Sequence, residues 1–309
     1  MNSVILSVLC CPQTHKGLHV SGHSLAATDG KTSYPLSSSG IPLFAGACFS
    51  PEGKIQERHY DKVAEEYLGN LGYIHTDSYI SYLNQVLLKH MEGGSFDTTA
   101  ELCCGNGEGL KMMREKVKYG IGMDVSCSML ENAKTKLPDN RFQFLQADAT
   151  MLPLKDSSVD SVIMLGGIHH VKNRLKLFSE VKRVLKPGGR LYWREPVNDF
   201  PVWKWLRYII YRLSPALDFQ TESPLEYRRT RKQLRDSGLD LKTWKTCGFL
   251  AFALFMNSDV LIITRLFKFL PGVEILVKLA AKLDEFILDN RFFKSMGFLV
   301  VGMAEKRRV

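Results

Sequence analysis

At 309 residues, 45% hydrophobic and 24% charged, the chain can bury one large core, or a large and a small one, and is neither disordered nor fibrous. Its formal net charge of +9 is localised, because residues 201–309 hold 19 Lys and Arg against 11 Asp and Glu; such a basic third could meet RNA, anionic lipid or an acidic substrate, and charge alone does not choose. Seven cysteines, an odd number with adjacent pairs at Cys10–Cys11 and Cys103–Cys104, exclude a secreted disulfide framework and predict a reducing, cytoplasmic setting.

Met1–Cys11 is apolar but lacks a basic start and a small-residue cleavage site, which argues against a signal peptide. Residues 1–50, rich in Gly, Ser, Thr and Pro with apolar pieces at Val4–Leu9 and Ile41–Phe44, predict a small β-rich module. Charged helical patterns at Pro51–Leu68 and Tyr79–Met91 make residues 51–97 a helical linker or lid. From Thr99 strands and helices alternate, which implies a parallel sheet with right-handed crossovers. Strands are expected at Ala100–Cys103, Gly120–Met123, Phe142–Gln146, Ser161–Leu165, Arg190–Arg194 and Phe298–Ala304. Helices are expected at Gly109–Lys118, at Ser128–Lys136 behind the N-cap candidate Ser126, and at Arg174–Leu185, which Lys186-Pro187-Gly188-Gly189 ends. Beyond Pro196 the pattern turns helical and apolar, giving insertions at about residues 197–295. The apolar stretch Thr246–Ser258 is short of the roughly 20 residues a membrane span takes, so no transmembrane helix is expected.

Three features carry chemistry. Glu101-Leu102-Cys103-Cys104-Gly105-Asn106-Gly107-Glu108-Gly109 follows a strand and opens a helix, where glycines admit a ligand to the backbone and the helix start offers N–H groups. Such a loop alone is equally a tight turn. Asp124 ends the next strand, 19 positions after Gly105, where a ribose-binding acid belongs; the alternative is an Asp favoured by a helix N-terminus. Asp148-Ala149 follows the third strand, where the acid can accept from an exocyclic amine and the alanine leaves room for adenine; alone, the Asp would be a turn residue.

In this order the motifs resemble the class I (Rossmann-like) S-adenosylmethionine-dependent methyltransferases, particularly the small-molecule branch. The resemblance runs through Ala100–Gly109, Gly120–Leu130, Phe144–Pro153, Asp160–Val171 and Glu180–Gly189, with Phe298–Lys306 similar to the family's final strand. It implies an α/β fold: a mostly parallel seven-stranded sheet with helices on both faces, forming a domain over 98–309. It implies S-adenosyl-L-methionine as cofactor, with Glu101 facing the methionine ammonium and Gly105 and Gly107 lining the site. Asp124 would take the ribose, Met129 would pack near adenine, and Asp148 and Ala149 would hold the adenine edge. Leu165 and Gly166 would pass beside the sulfonium. Cys103 stands where the family usually has its first glycine. His169 and His170 lie at the mouth, where either could take a proton from an acceptor or merely line the pocket. Methyl transfer needs in-line placement above all, so no dedicated nucleophile is expected.

Leu9-Cys10-Cys11-Pro12-Gln13-Thr14-His15, with Thr32–Leu36 and Gly40–Leu43, resembles a zinc-ribbon-like methyltransferase-activator module. Thr14 replaces its second cysteine, so a metal-free module is expected; Cys10, Cys11, His15, His19, His23 and Cys48 are the alternative ligand set. The expected acceptor is a small, hydrophobic or lipid-like molecule, met at a lid of apolar stripes (Trp203, Trp205, Tyr208 and Phe249–Leu270) that could also touch a membrane surface. The alternatives are an RNA base, favoured by Arg228-Arg229-Thr230-Arg231-Lys232 but not by Leu165-Gly166-Gly167-Ile168, and a non-catalytic cofactor-binding partner protein.

Overall fold

The computed structural model describes residues 1–44, 49–58, 61, 73–205, 208, 223–256 and 262–308. The parts of Pro51–Leu68 and Phe200–Leu213 outside those ranges, and Cys48, lie outside the described residues. Among the described residues ten strands form two sheets: a three-stranded antiparallel one of β1 (Leu18–Ser21), β2 (Ser24–Ala27) and β3 (Ser33–Pro35), and a seven-stranded one. The large sheet comprises β4 (Thr98–Leu102), β5 (Tyr119–Asp124), β6 (Phe142–Gln146), β7 (Val159–Leu165), β8 (Leu185–Pro196), β9 (Leu239–Cys247) and β10 (Leu299–Lys306). Its order is β6-β5-β4-β7-β8-β10-β9, and β10 runs antiparallel to both neighbours while the ladders joining β4 to β8 are parallel. The chain therefore leaves β4 in one direction through β5 and β6, then crosses back to β7. That reversal opens a crevice at the carboxyl ends of β4 and β7, where ligands of open α/β sheets bind.

Each face of this sheet is covered. One carries α1 (Ser3–Val8) with the small sheet, α6 (Arg174–Val184) and α7 (Tyr227–Asp236), through residues such as Ile5, Leu25, Phe178 and Leu234. The other carries α3 (Ile74–His90), α4 (Glu108–Met112), α5 (Cys127–Lys136), α8 (Leu250–Phe255) and α9 (Val273–Asp289), through Leu83, Leu110, Leu130, Ala251 and Val277. A further helix, α2, spans 51–58.

The expected strands between β4 and β8 are all present, as is the Ser126 cap, whose side chain accepts from Met129 N. Three elements differ, the first being α4, which ends at Met112 where a helix to Lys118 was expected. The Lys186–Gly189 turn is absorbed into β8 as an irregularity opposite Val159–Ser161, with Gly188 at φ +78°. Strand β9 falls in the region expected to be helical: on the edge of the sheet its Leu-Asp-Leu-Lys-Thr-Trp-Lys-Thr-Cys run is mostly half-buried, so it shows no strong apolar alternation. Among the described residues no helix is long and apolar enough to cross a membrane.

The N-terminal module is seated on the large sheet. Cys10 N donates to Pro153 O at 3.1 Å, and residues 42–44 run beside β6, with Gln146 N donating to Pro42 O (2.9 Å) and Phe44 N to Gln146 O (3.0 Å). Among the described residues no three His, Cys, Asp or Glu are grouped to hold a metal; Cys11 Sγ lies 3.0 Å from Tyr34 Oη.

Candidate active site

The β4–α4 turn is a backbone cradle. Cys103, Gly105 and Gly107 have φ of +51°, +49° and +77°, conformations that glycine adopts without strain and cysteine does not. The cysteine fits sterically because its neighbour is bare: a Cβ on Gly167 would lie 2.4 Å from Cys103 Cβ. Nothing lies within 4 Å of a Cβ built on Gly105 or Gly166, so the backbone there is open to a ligand.

Three buried carboxylates surround this cradle. Glu101, 1% exposed, accepts Gly109 N at 2.7 Å and Leu110 N at 2.8 Å, capping the start of α4. Burial pushes its pKa up to about 8 against the pull of those two N–H groups. Asp124 accepts Gly105 N at 2.8 Å on one oxygen and Ser126 N at 2.9 Å on the other, tying the cradle to β5; burial raises its pKa too. Asp148 accepts Thr150 N and Oγ1 on Oδ1, both at 2.8 Å, and Ser50 N (3.0 Å) and Oγ (2.6 Å) on Oδ2.

Ser50 also caps α2, its hydroxyl accepting Gly53 N at 3.0 Å with Pro51 in the first helical position. The residues after it reach the same rim, with Glu57 accepting from Gln146 Nε2 (2.9 Å) and Asp61 from Ser126 Oγ (2.6 Å) and Ser128 Oγ (2.8 Å). Residues 51–58, part of the stretch expected as a linker or lid, thus have an anchor that sequence reasoning missed, Ser50. A Ser-Pro start to a charged helix was the available signal.

Past β7, Glu195 at the end of β8 is fully buried. It accepts Gly167 N (2.7 Å), Ile168 N (2.8 Å) and His169 N (3.3 Å), and its Oε2 lies 2.8 Å from His169 Nδ1. Burial pushes its pKa up to about 7, those N–H groups opposing. With the proton on Nδ1 for this bond, Nε2 becomes the acceptor of the imidazole. Glu195 was not among the expected site residues, since a Glu at the end of an apolar strand reads only as strand punctuation.

One cavity of about 360 Å³ is lined by Glu101, Cys103, Gly105, Asp124, Met129, Asp148, Ala149, Leu165, Gly166 and His170, with Ser50 and Gly53 at the start of α2. Ten of the twelve expected site residues are brought together there. Gly107 is not on the wall; a Cβ on it would meet Leu137, Ala133 and Phe144, so it lets the turn pack against α5 and β6. His169 stands behind His170, the two rings 3.9 Å apart.

Residues 100–193 match the family model described as a methyltransferase domain. Over 113 residues the chain is 33% identical to 2-phytyl-1,4-naphtoquinone methyltransferase of Nostoc punctiforme, covering 34% of this chain and 49% of that one. It is 37% identical over 111 residues to demethylmenaquinone methyltransferase of Lactococcus lactis, covering 34% and 44%. The chain thus spans about half the length of the curated relatives it matches. A solved complex of the Haloferax volcanii Trm112 methyltransferase activator with a candidate methyltransferase superposes with a TM-score of 0.55 at 19% identity, over 82% of this chain and 98% of that one, which shows a shared fold.

Proposed function

We propose that this chain, whose residues 100–193 form a methyltransferase domain on a class I sheet, is an S-adenosylmethionine-dependent methyltransferase with a small hydrophobic acceptor. The observation that carries this reading is the row of buried carboxylates along one open cradle, at the strand ends where the sheet order reverses. The residues present fit the cofactor. Glu101 suits the methionine ammonium, Asp124 retains acceptor capacity for ribose hydroxyls, and the bare backbone of Gly105 and Gly166 admits the chain between them. Four donors already fill the lone pairs of Asp148, so an adenine amine would take the place of the Ser50 hydroxyl, and α2 would shift as the cofactor seats.

The cofactor supplies an electrophilic methyl group on a sulfonium. The chain's part is to hold the acceptor in line with it and to take the proton that the acceptor loses. His170, on the cavity wall, is our candidate to receive that proton, and Glu195 orders the loop behind it through His169, whose ring lies 3.9 Å from that of His170. Glu195 here is a positioning residue.

A small hydrophobic acceptor is favoured by the quinone-named relatives and by an RNA-type proline-aromatic run being replaced by Leu165-Gly166-Gly167-Ile168. We divide the chain into a β-rich module (1–50), a linker and lid (51–97) and the catalytic domain (98–309). Tritiated-methyl transfer to fractionated lipid, small-molecule and RNA pools tests the reading. Label confined to RNA would overturn the acceptor class, and cofactor binding without label in any pool would leave a binding protein in place of an enzyme.

A further inference from the structure

Helix α9 is apolar on two opposite sides. Val273, Val277, Ala281 and Leu288 are buried on the inner side. With the 100° step of a helix, Ile275, Leu276, Leu279, Leu283 and Phe286 share the outer side, and they are 64%, 47%, 58%, 49% and 81% exposed. A surface helix ordinarily turns polar residues outward, so this side is shaped for something other than water.

The charges around it are one-sided. Asp284 is buried as a cap, accepting Phe249, Leu250 and Ala251 N, and Asp289 is paired with Lys245. Glu285 bonds Tyr82, which leaves Glu274 against exposed Lys268, Lys278, Lys282 and Arg291. Two of these cations sit over exposed rings, Lys268 4.9 Å from the centroid of Phe269 and Arg291 4.8 Å from that of Phe292. An aromatic tip under a cationic head suits the boundary between acyl chains and headgroups. Beyond Leu288 the surface continues into a groove along β9 in which Lys204, Arg228, Arg231, Lys242, Lys245 and Lys294 outnumber Asp199, Glu226 and Asp289.

Its place matters as well. Cys247 at the end of β9 pairs with Leu299 at the start of β10, and Leu299 pairs with Pro196 at the end of β8. The segment between, which includes α8, α9 and Phe292, therefore leaves and rejoins the sheet at the end where the cavity opens. No described helix can span a bilayer, so contact would be in the plane of the surface.

We propose that the outer side of α9, with Phe269 and Phe292, docks on an anionic lipid surface and holds the cavity mouth near an acceptor dissolved there. A second copy fits less well, since self-pairing would set Lys278 and Lys282 of one chain near those of the other. The purpose assigned rests on the hydrophobic-acceptor reading, but the test reads partition, not methyl transfer. The full chain is co-sedimented with vesicles of phosphatidylcholine alone and with about a quarter phosphatidylglycerol. Binding to the anionic vesicles is expected, with loss at high salt and at least about a tenfold loss on the double substitution Leu279→Glu and Phe286→Glu. Both sites are exposed, and unchanged melting and cofactor affinity in the variant would show that fold and methyl-donor site persist. Failure of the wild type to bind either vesicle, or undiminished binding by the variant, would overturn the proposal. So would a dimer that the variant dissociates in place of vesicle binding, which would assign the face to a second copy. Absent cofactor binding with intact vesicle binding would instead sink the methyltransferase reading alone.

Discussion

Glu101 is the most exacting test of the cofactor site, because both its tasks, capping α4 and taking an ammonium, call for a carboxylate that burial works to protonate. Recognition of an ammonium needs the carboxylate, yet burial holds the pKa at about 8 against an ordinary 4.5. At pH 7 about nine in ten molecules without ligand would carry the proton, and binding an ammonium would expel it. Affinity for S-adenosylmethionine should therefore fall about tenfold per pH unit below 8, so about a hundredfold at pH 6. Calorimetry at pH 7 in buffers of different ionisation enthalpy should show release of close to one proton. Glu101→Gln removes the titration; its affinity should be roughly 10–100-fold weaker above pH 8 and nearly flat with pH, as a charge-assisted bond becomes a neutral one. The sign for stability is also fixed. A raised folded pKa stabilises below the unfolded value and loses that contribution as pH rises through about 8, so the melting temperature should fall from pH 5 to 8 more in the wild type than in the Gln variant. A wild-type affinity constant within twofold from pH 6 to 8, or a slope that survives in Glu101→Gln, would refute the ammonium assignment.

Other substitutions probe other parts of the site. Asp124→Ala should weaken the cofactor by on the order of 1.5–3 kcal/mol and loosen Gly105; unchanged affinity by titration calorimetry would remove the ribose role. Glu195→Gln should lower kcat by about 10²–10⁴, with cofactor affinity nearly retained and the pH–rate profile altered, and a merely structural residue would leave that profile in place. Ser50→Ala removes an N-cap and a competitor for Asp148 together, so α2 should become more open to proteolysis while cofactor affinity holds or rises; a clear loss of affinity would mean that Ser50 itself contacts the ligand. Asp284→Ala orphans three N–H groups at the start of α8 and should cost about 1–3 kcal/mol, read as a lower melting temperature.

The sheet from β4 to β8 was legible because its strands are buried on both faces and bounded by glycine or acid, so local pattern and final position agree. Strand β9 was not, since an edge strand with half-wet faces shows no period that a helix would not also tolerate. Asp124 and Asp148 could be picked out from spacing because the strand ends place them, whereas Glu101 was implied by the resemblance. Ser50 and Glu195 were missed: one meets Asp148 across 98 positions and the other meets His169 across 26, and the Ser-Pro start marks only the cap of α2, not its meeting with Asp148. The outward side of α9 was hidden for the reverse reason, because a helix apolar on two opposite sides reads as core until its surroundings are known.

Residues 42–44 lie against β6, which would otherwise be the bare flank of the large sheet. Unpaired flanks invite foreign strands, and here the chain supplies its own cover. Only five positions separate Phe44 from Ser50, which bonds Asp148 inside the cavity. Anything that prised the module from that flank would therefore pull on the cavity's cover through a very short tether. A shortened protein starting at Pro51 should change twice, growing adhesive at β6 and freeing α2 from its anchor at Asp148.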